Sequence, residues 1–309
     1  MANKLKNNIV FFSARILFWL INFLPRFITL FLGELLGMIA YCLIKKERHK
    51  TLLNLDRAYG NSLSYHRKKE IARLCFQTFG RAALEDMRMR RYYQTQMRPN
   101  IEIVGEENLK KAYQKGKGIV AFTGHIGNFE LLAAWVAQSG YKAAVIGREL
   151  YDKRLDEMLI ANRTAMDIVN IRTDDSPRDI LRFLKDNYAI GFLIDTDSFR
   201  VGGELTPFFG RLAKTPIGPT QLGLVSGAAF LPIFCLSFPR GKYKIVIGEE
   251  LTIESRERTR ENIYKITGRM TKEIEKIIRR HPDQWIWMHN RWHTRPEVND
   301  LEFLRSLKG

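Results

Sequence analysis

From residue 101 onward, short apolar runs of strand length alternate with amphipathic runs of helix length. That alternation constrains the fold more than any other feature. The stretch "IEIVG" (101–105) reads as a strand and "EENLKKAYQKG" as a helix that stops at Gly116. The pattern repeats as "GIVAFT" (118–123), a helix "NFELLAAWVAQSG" (128–140), "KAAVIG" (142–147), a helix from Tyr151, "DIVNIR", a helix from Ser176 and "YAIGFLID" (188–195). In "SPRDILRFLKDN", Ser176 suits the N-cap and Pro177 the first helical position. A helix over 216–227, strands in "AFLPIFCLSF" and "YKIVIGEEL", and a helix near 257–281 complete the series. Parallel strands need crossover helices to bury their faces, so the expected class is α/β with a central, mostly parallel sheet flanked by helices. No internal repeat or low-complexity segment interrupts it.

The N-terminal third differs. Residues 9–44 are strongly apolar, but Arg15, Pro25, Arg26 and Glu34 interrupt them before any run reaches the roughly 20 residues of a clean transmembrane helix. No small-residue cleavage site marks a secretory signal. Lys4 and Lys6 precede the apolar stretch, and Lys45, Lys46, Arg48 and Lys50 follow it. Flanks of one sign suit a helical hairpin, or helices lying in the interface with both ends among anionic headgroups. A buried hairpin of a soluble fold is the alternative. The expected organisation is membrane-anchor helices over 1–50, a basic helical segment over 51–98 and an α/β domain over 99–309. In the middle segment Gly80 reads as a break or a close helix contact.

The formal charge is +17, and residues 1–100 carry 18 Lys and Arg against 6 Asp and Glu. Such an excess seeks polyanions: nucleic acid, an anionic membrane or an acidic protein. Cys42, Cys75 and Cys235 share no short spacing, so neither a disulfide framework nor a C-x-x-C metal pair is expected, and a reducing compartment is the default.

The chemistry concentrates in "TGHIGNFEL" (123–131). His125 stands where a strand gives way to a helix, the position at which open α/β sheets build their sites. Gly124 and Gly127 permit a tight backbone, and Glu130 falls in the first turn of the helix. Its carboxylate is expected to reach back to one ring nitrogen, leaving the other as a general base. Amides at the helix N-terminus lie near enough to stabilise an oxyanion. A His–Glu pair of this kind reads equally well as a capping contact. Neither H-E-x-x-H nor G-x-S-x-G is present, which removes the usual zinc-protease and acyl-serine readings. Asp195 and Asp197 lack the phosphate-cradling loop of a magnesium site, and the i, i+4 pair His289 and His293 has no acidic or cysteine partner in sequence. No metal is expected.

"GHIGNFE" resembles the H-x-x-x-x-D/E signature of the glycerolipid acyltransferase superfamily, in the form found in the late lipid A lauroyl and myristoyl transferases. "GRELYD" (147–152), "ANR" (161–163), "LIDTDSFRVGGELTPFFGRLAKT" (193–215) and "HPDQWIWMHNRW" (281–292) are similar to further blocks of that family, in the same order. Thr196 departs from the Gln or His usual between the two aspartates. The resemblance implies His125 as general base and Glu130 as its orienting carboxylate. It implies substrate contacts from Gly127, Asn128, Arg148, Arg163, Asp195, Asp197, Gly210 and Thr215. It also implies direct transfer without cofactor, from an acyl-carrier-protein thioester to a lipid A precursor at the cytoplasmic face of a bacterial inner membrane. Acyl carrier protein, an anionic lipid acceptor and the membrane surface are the partners; nucleic acid is not. A lysophospholipid, a lyso-ornithine lipid or a glycolipid mannoside is the alternative acceptor. A non-catalytic basic binding protein explains the charge and the tryptophans Trp135, Trp285, Trp287 and Trp292, but not the order of the blocks.

Overall fold

A computed structural model describes residues 2–197 and 202–307. Residues 198–201 of the aspartate block, and the side chains of Lys4, Lys6 and Ile9, lie outside the described residues.

The chain begins with four helices, α1 (Ala2–Ile21), α2 (Arg26–Leu43), α3 (Lys45–Tyr59) and α4 (Tyr65–Tyr92). Strands and helices then alternate: β1 (Ile101–Val104), α5 (Glu106–Gln114), β2 (Ile119–Thr123), α6 (Phe129–Gln138), β3 (Ala143–Gly147), α7 (Lys153–Thr164), β4 (Ile168–Arg172), α8 (Pro177–Lys185) and β5 (Ala189–Leu193). A hairpin of β6 (Gly203–Phe208) and β7 (Arg211–Pro216) follows, then α9 (Gly218–Ser226), β8 (Ala229–Phe238), β9 (Lys242–Ile247), α10 (Arg260–Arg280) and α11 (Val298–Ser306).

Seven strands among the described residues form one sheet in the order β1-β9-β8-β2-β5-β3-β4. The five from β8 to β4 are parallel, whereas β9 runs antiparallel to β8 and β1 follows β9. The α/β expectation therefore holds, with an antiparallel edge where the short β8–β9 connection leaves no room for a crossover helix. The β6–β7 hairpin and α11 are not anticipated by the sequence reading. Phe209 and Gly210 both take positive φ in the hairpin turn, at 53° and 71°, the backbone of a tight primed turn. Only Gly210 advertises it.

The N-terminal helices are fastened to the sheet. Gly80 proves to be a close helix contact: a Cβ there would lie 2.2 Å from the carbonyl oxygen of Gly33, and one at Gly37 would lie 2.3 Å from that of Phe76. Arg26 of α2 reaches across to the fully buried Glu85 of α4 at 2.6 Å, and Tyr243 of β9 donates to the same carboxylate. Arg88 caps the end of α1 through the carbonyls of Ile21 and Leu24. Leu55, Ile71 and Cys75 share one core with Phe122 and Trp285. The outward side remains apolar, with Phe12, Ile16, Trp19, Leu20, Phe23, Phe27, Phe31 and Leu35 exposed. Helix α2 is long and apolar enough to cross a membrane.

Candidate active site

Strand β2 pairs with β5 in parallel, and the last partners are Thr123 and Leu193. Two residues further along each chain stand His125 and Asp195. Asp195 Oδ1 lies 2.8 Å from His125 Nδ1, and Oδ2 accepts from the His125 backbone N–H at 2.7 Å and from Trp285 Nε1 at 2.7 Å. Burial works to raise this carboxyl. The charge and hydrogen bond of His125, then the charge of His289 and the indole donor, outweigh it and hold Asp195 below the usual carboxylate range. An ionised carboxylate can only accept, so Nδ1 carries a proton, and in the neutral ring Nε2 keeps its lone pair.

Glu130 does not bind the histidine, and here the structure corrects the sequence reading. Both its oxygens go to Arg163 of α7, at 2.5 Å and 3.0 Å, and Arg163 also donates to Asn170 at 2.5 Å. The reason is directional: the first turn of α6 carries Glu130 towards α7 rather than back over the loop that holds His125. Arg163 is accordingly a buried ion-pair partner, not part of a solvated helix face.

The loop between β2 and α6 is held from several sides. Gly127 has φ +56°, and a Cβ there would sit 2.1 Å from the carbonyl oxygen of Cys235. Its N–H donates to Gln284, and that of Asn128 to Cys235. Asn128 caps α6 by accepting from Leu131 N–H at 2.7 Å, while its amide donates to Asp86. Such a cap contributes about 1 kcal/mol. Gly127 and Asn128 thus shape the loop rather than line the cleft. The closing segment seals it: Ile126 bridges Trp285, and Ile286 N–H donates to the His125 carbonyl. Asn54 of α3 binds the carbonyls of Trp287 and His289. The His289 ring stands edge-on to His125 with centroids 4.6 Å apart. Burial, then the charge of His125, lowers His289 to about 4, so it is neutral at physiological pH.

A cleft of about 850 Å³ opens over His125 and His289, with Phe129, Ile146, Leu150, Ile180, Phe192 and Leu222 among its walls. Arg148, Arg163, Thr196 and Asp197 add polar groups. Arg148 is exposed at the rim; Glu149 pairs with Arg172 and Asp152 with Arg154, so neither occupies it. A narrow apolar slot between α6 and the sheet shares Phe129, Ile146, Arg163 and Leu193 with the cleft and is floored by Ala121, Ala144 and Gly191. Asp197 spends its carboxylate on the backbone of His293 and on Thr294. Gly210 lies in the hairpin turn, and Thr215 is buried against Arg291 and Thr206. Neither is among the residues that line the cleft, and the contacts described for both are structural.

A histidine paired with a buried carboxylate beside a large, mostly apolar cleft suits chemistry on a lipid. Residues 2–294 match the family model for bacterial lipid A biosynthesis acyltransferase. The chain belongs to this family. It is an acyltransferase. Among its relatives, a lipid A biosynthesis palmitoleoyltransferase of Escherichia coli K12 is 26% identical over 280 residues, covering 90% of this chain and 89% of the relative. A lipid A biosynthesis lauroyltransferase of the same organism is 24% identical, covering 90% of each. A phosphatidylinositol mannoside acyltransferase of Mycobacterium tuberculosis is 24% identical over 194 residues, covering 62% of this chain and 59% of the relative.

Proposed function

We propose that this acyltransferase moves a fatty acyl group from an acyl-carrier-protein thioester to a hydroxyl of a lipid A precursor, at the cytoplasmic face of the inner membrane. The observation that carries the reading is the Asp195–His125 pair beneath an apolar cleft rimmed by Arg148. His125 Nε2 takes the proton of the acceptor hydroxyl as its oxygen attacks the thioester carbonyl. The tetrahedral intermediate collapses with loss of the thiolate, which recovers the proton from the imidazolium. An ester and a free carrier thiol result, with no acyl-enzyme. Asp195 holds the tautomer and stabilises the imidazolium, and its burial strengthens that interaction. The apolar walls suit an alkyl chain, and the cleft volume is in the range of small-molecule and cofactor sites. Arg148 suits an acceptor phosphate, because guanidinium binds phosphate through paired donors. The basic N-terminal third suits an acidic carrier protein, and the exposed apolar face of α1 and α2 suits a bilayer.

The test pairs carrier-protein and coenzyme-A thioesters with a lipid A precursor, a lysophospholipid and a phosphatidylinositol mannoside, and follows product by mass spectrometry. Transfer from the carrier thioester to the lipid A precursor, abolished in His125→Ala with folding intact, is the expected result. Transfer confined to the lysophospholipid or the mannoside would refute the acceptor, and transfer confined to coenzyme A would refute the donor.

A further inference from the structure

A second groove, of about 580 Å³, runs between α1 and α4. Arg15, Trp19 and Phe23 stand on one wall and Met87, Arg90 and Arg91 on the other, and none of its lining residues belongs to the His125 cleft. Among the described residues no acidic side chain lines it. Arg15, Arg90 and Arg91 are exposed. Elsewhere in the first hundred residues Arg26, Arg67 and Arg81 each hold a carboxylate, at 2.6 Å, 2.7 Å and 3.0 Å. Among the described residues the three groove arginines make no such pair; Glu157 shares a neighbouring groove with Arg90 but lies outside ion-pair distance. Arg91 instead rests against aromatic rings, 5.7 Å from the centroid of Phe23 and 5.3 Å from that of Tyr92.

Three guanidinium groups gathered without a counter-ion repel one another, and a bound anion relieves that repulsion. The surroundings identify the anion's carrier. Trp19 and Phe23 continue directly into the exposed apolar face formed by Phe12, Ile16, Leu20, Phe27 and Phe31. Aromatic side chains of this kind settle at the level of lipid headgroups, with aliphatic side chains below them. Cations beside that belt meet lipid phosphate, to which the guanidinium fork is matched. We infer that this groove binds the phosphate of an anionic glycerophospholipid of the bilayer, apart from the catalytic cleft, so that headgroup charge fixes how the enzyme sits on the membrane.

The inference rests on the membrane-associated reading above, and the test separates the two. The full chain is sedimented with vesicles of phosphatidylcholine alone and of phosphatidylcholine mixed equally with phosphatidylglycerol. Each arginine near an anionic surface strengthens binding about fivefold, so the three should give a preference of roughly a hundredfold for the anionic vesicles. In R15Q/R90Q/R91Q the preference should fall to that left by the remaining basic surface. Binding to neutral vesicles and KM for the detergent-dispersed acceptor should be unchanged. Should the triple variant misfold, R15Q and R91Q alone should each reduce the preference about fivefold. A variant that keeps the full preference overturns the site. So does one that leaves vesicle binding intact but raises KM for the acceptor, since the groove would then hold the acceptor. Wild-type protein that binds neither vesicle overturns the membrane reading and the groove with it, whereas equal binding to both overturns the groove alone.

Discussion

His125 and Asp195 meet because each stands two residues beyond the last paired residues of neighbouring parallel strands, Thr123 of β2 and Leu193 of β5. Strand register, not sequence proximity, sets the 2.8 Å contact between an imidazole and a carboxylate 70 residues away. Asp195→Asn should therefore damage catalysis without emptying the site. The amide nitrogen can donate to Nδ1 and fix the opposite tautomer, leaving Nε2 without a lone pair. Steady-state kinetics should show kcat lower by roughly 10²–10⁴-fold with little change in KM. Near-normal turnover would remove Asp195 from the mechanism.

Glu130 should act through Arg163. Breaking a buried pair leaves one charge uncompensated, at a cost of about 3 kcal/mol. Glu130→Gln should lower Tm and kcat together, and the Glu130→Gln/Arg163→Gln double variant should cost less than the two single changes summed. Loss of kcat in E130Q at unchanged Tm would point to direct contact with the histidine.

Gly127 has no room for a side chain. Its positive φ and the 2.1 Å approach of a Cβ to the Cys235 carbonyl oxygen predict that Gly127→Ala destabilises the chain by more than about 2 kcal/mol. Thermal unfolding of the variant measures this directly, and a wild-type Tm would contradict the loop geometry.

Two groups set an acid dependence of stability of the same sign. His289 is lowered to about 4 by burial and by His125, below the unfolded value near 6.5. The unfolded chain binds the extra proton between these values, so stability is full above about pH 6.5 and falls as pH drops towards 4. Asp195 is depressed as well; its contribution is present above the ordinary carboxylate range, about pH 4, and is lost in stronger acid. Tm measured from pH 8 to pH 4 should fall in wild type and fall less in His289→Gln.

Arg148 stands at the rim of the cleft without a carboxylate partner among the described residues. Arg148→Ala should raise KM for a phosphorylated acceptor by about tenfold or more, the loss of one charged hydrogen bond, while leaving KM for the acyl donor near its wild-type value. An unchanged acceptor KM would place the phosphate elsewhere.

Hydrophobic periodicity and local capping determined the alternation of strands and helices, the fold class and the position of His125 at a strand end. These are properties of a few consecutive residues, so β2 and β5 fall inside the runs 118–123 and 188–195 read from the chain. The hairpin escaped because its turn depends on Phe209 taking a left-handed backbone that its residue type does not announce. The ordered blocks pointed to the family as well. Only the tertiary structure decided which carboxylate serves the histidine. Glu130 is five residues away and turns to Arg163, whereas the order of strands in the sheet sets Asp195 against Nδ1 and Trp285 against Asp195. Strand order depends on crossovers that bury apolar faces over the whole domain, and no local pattern encodes it.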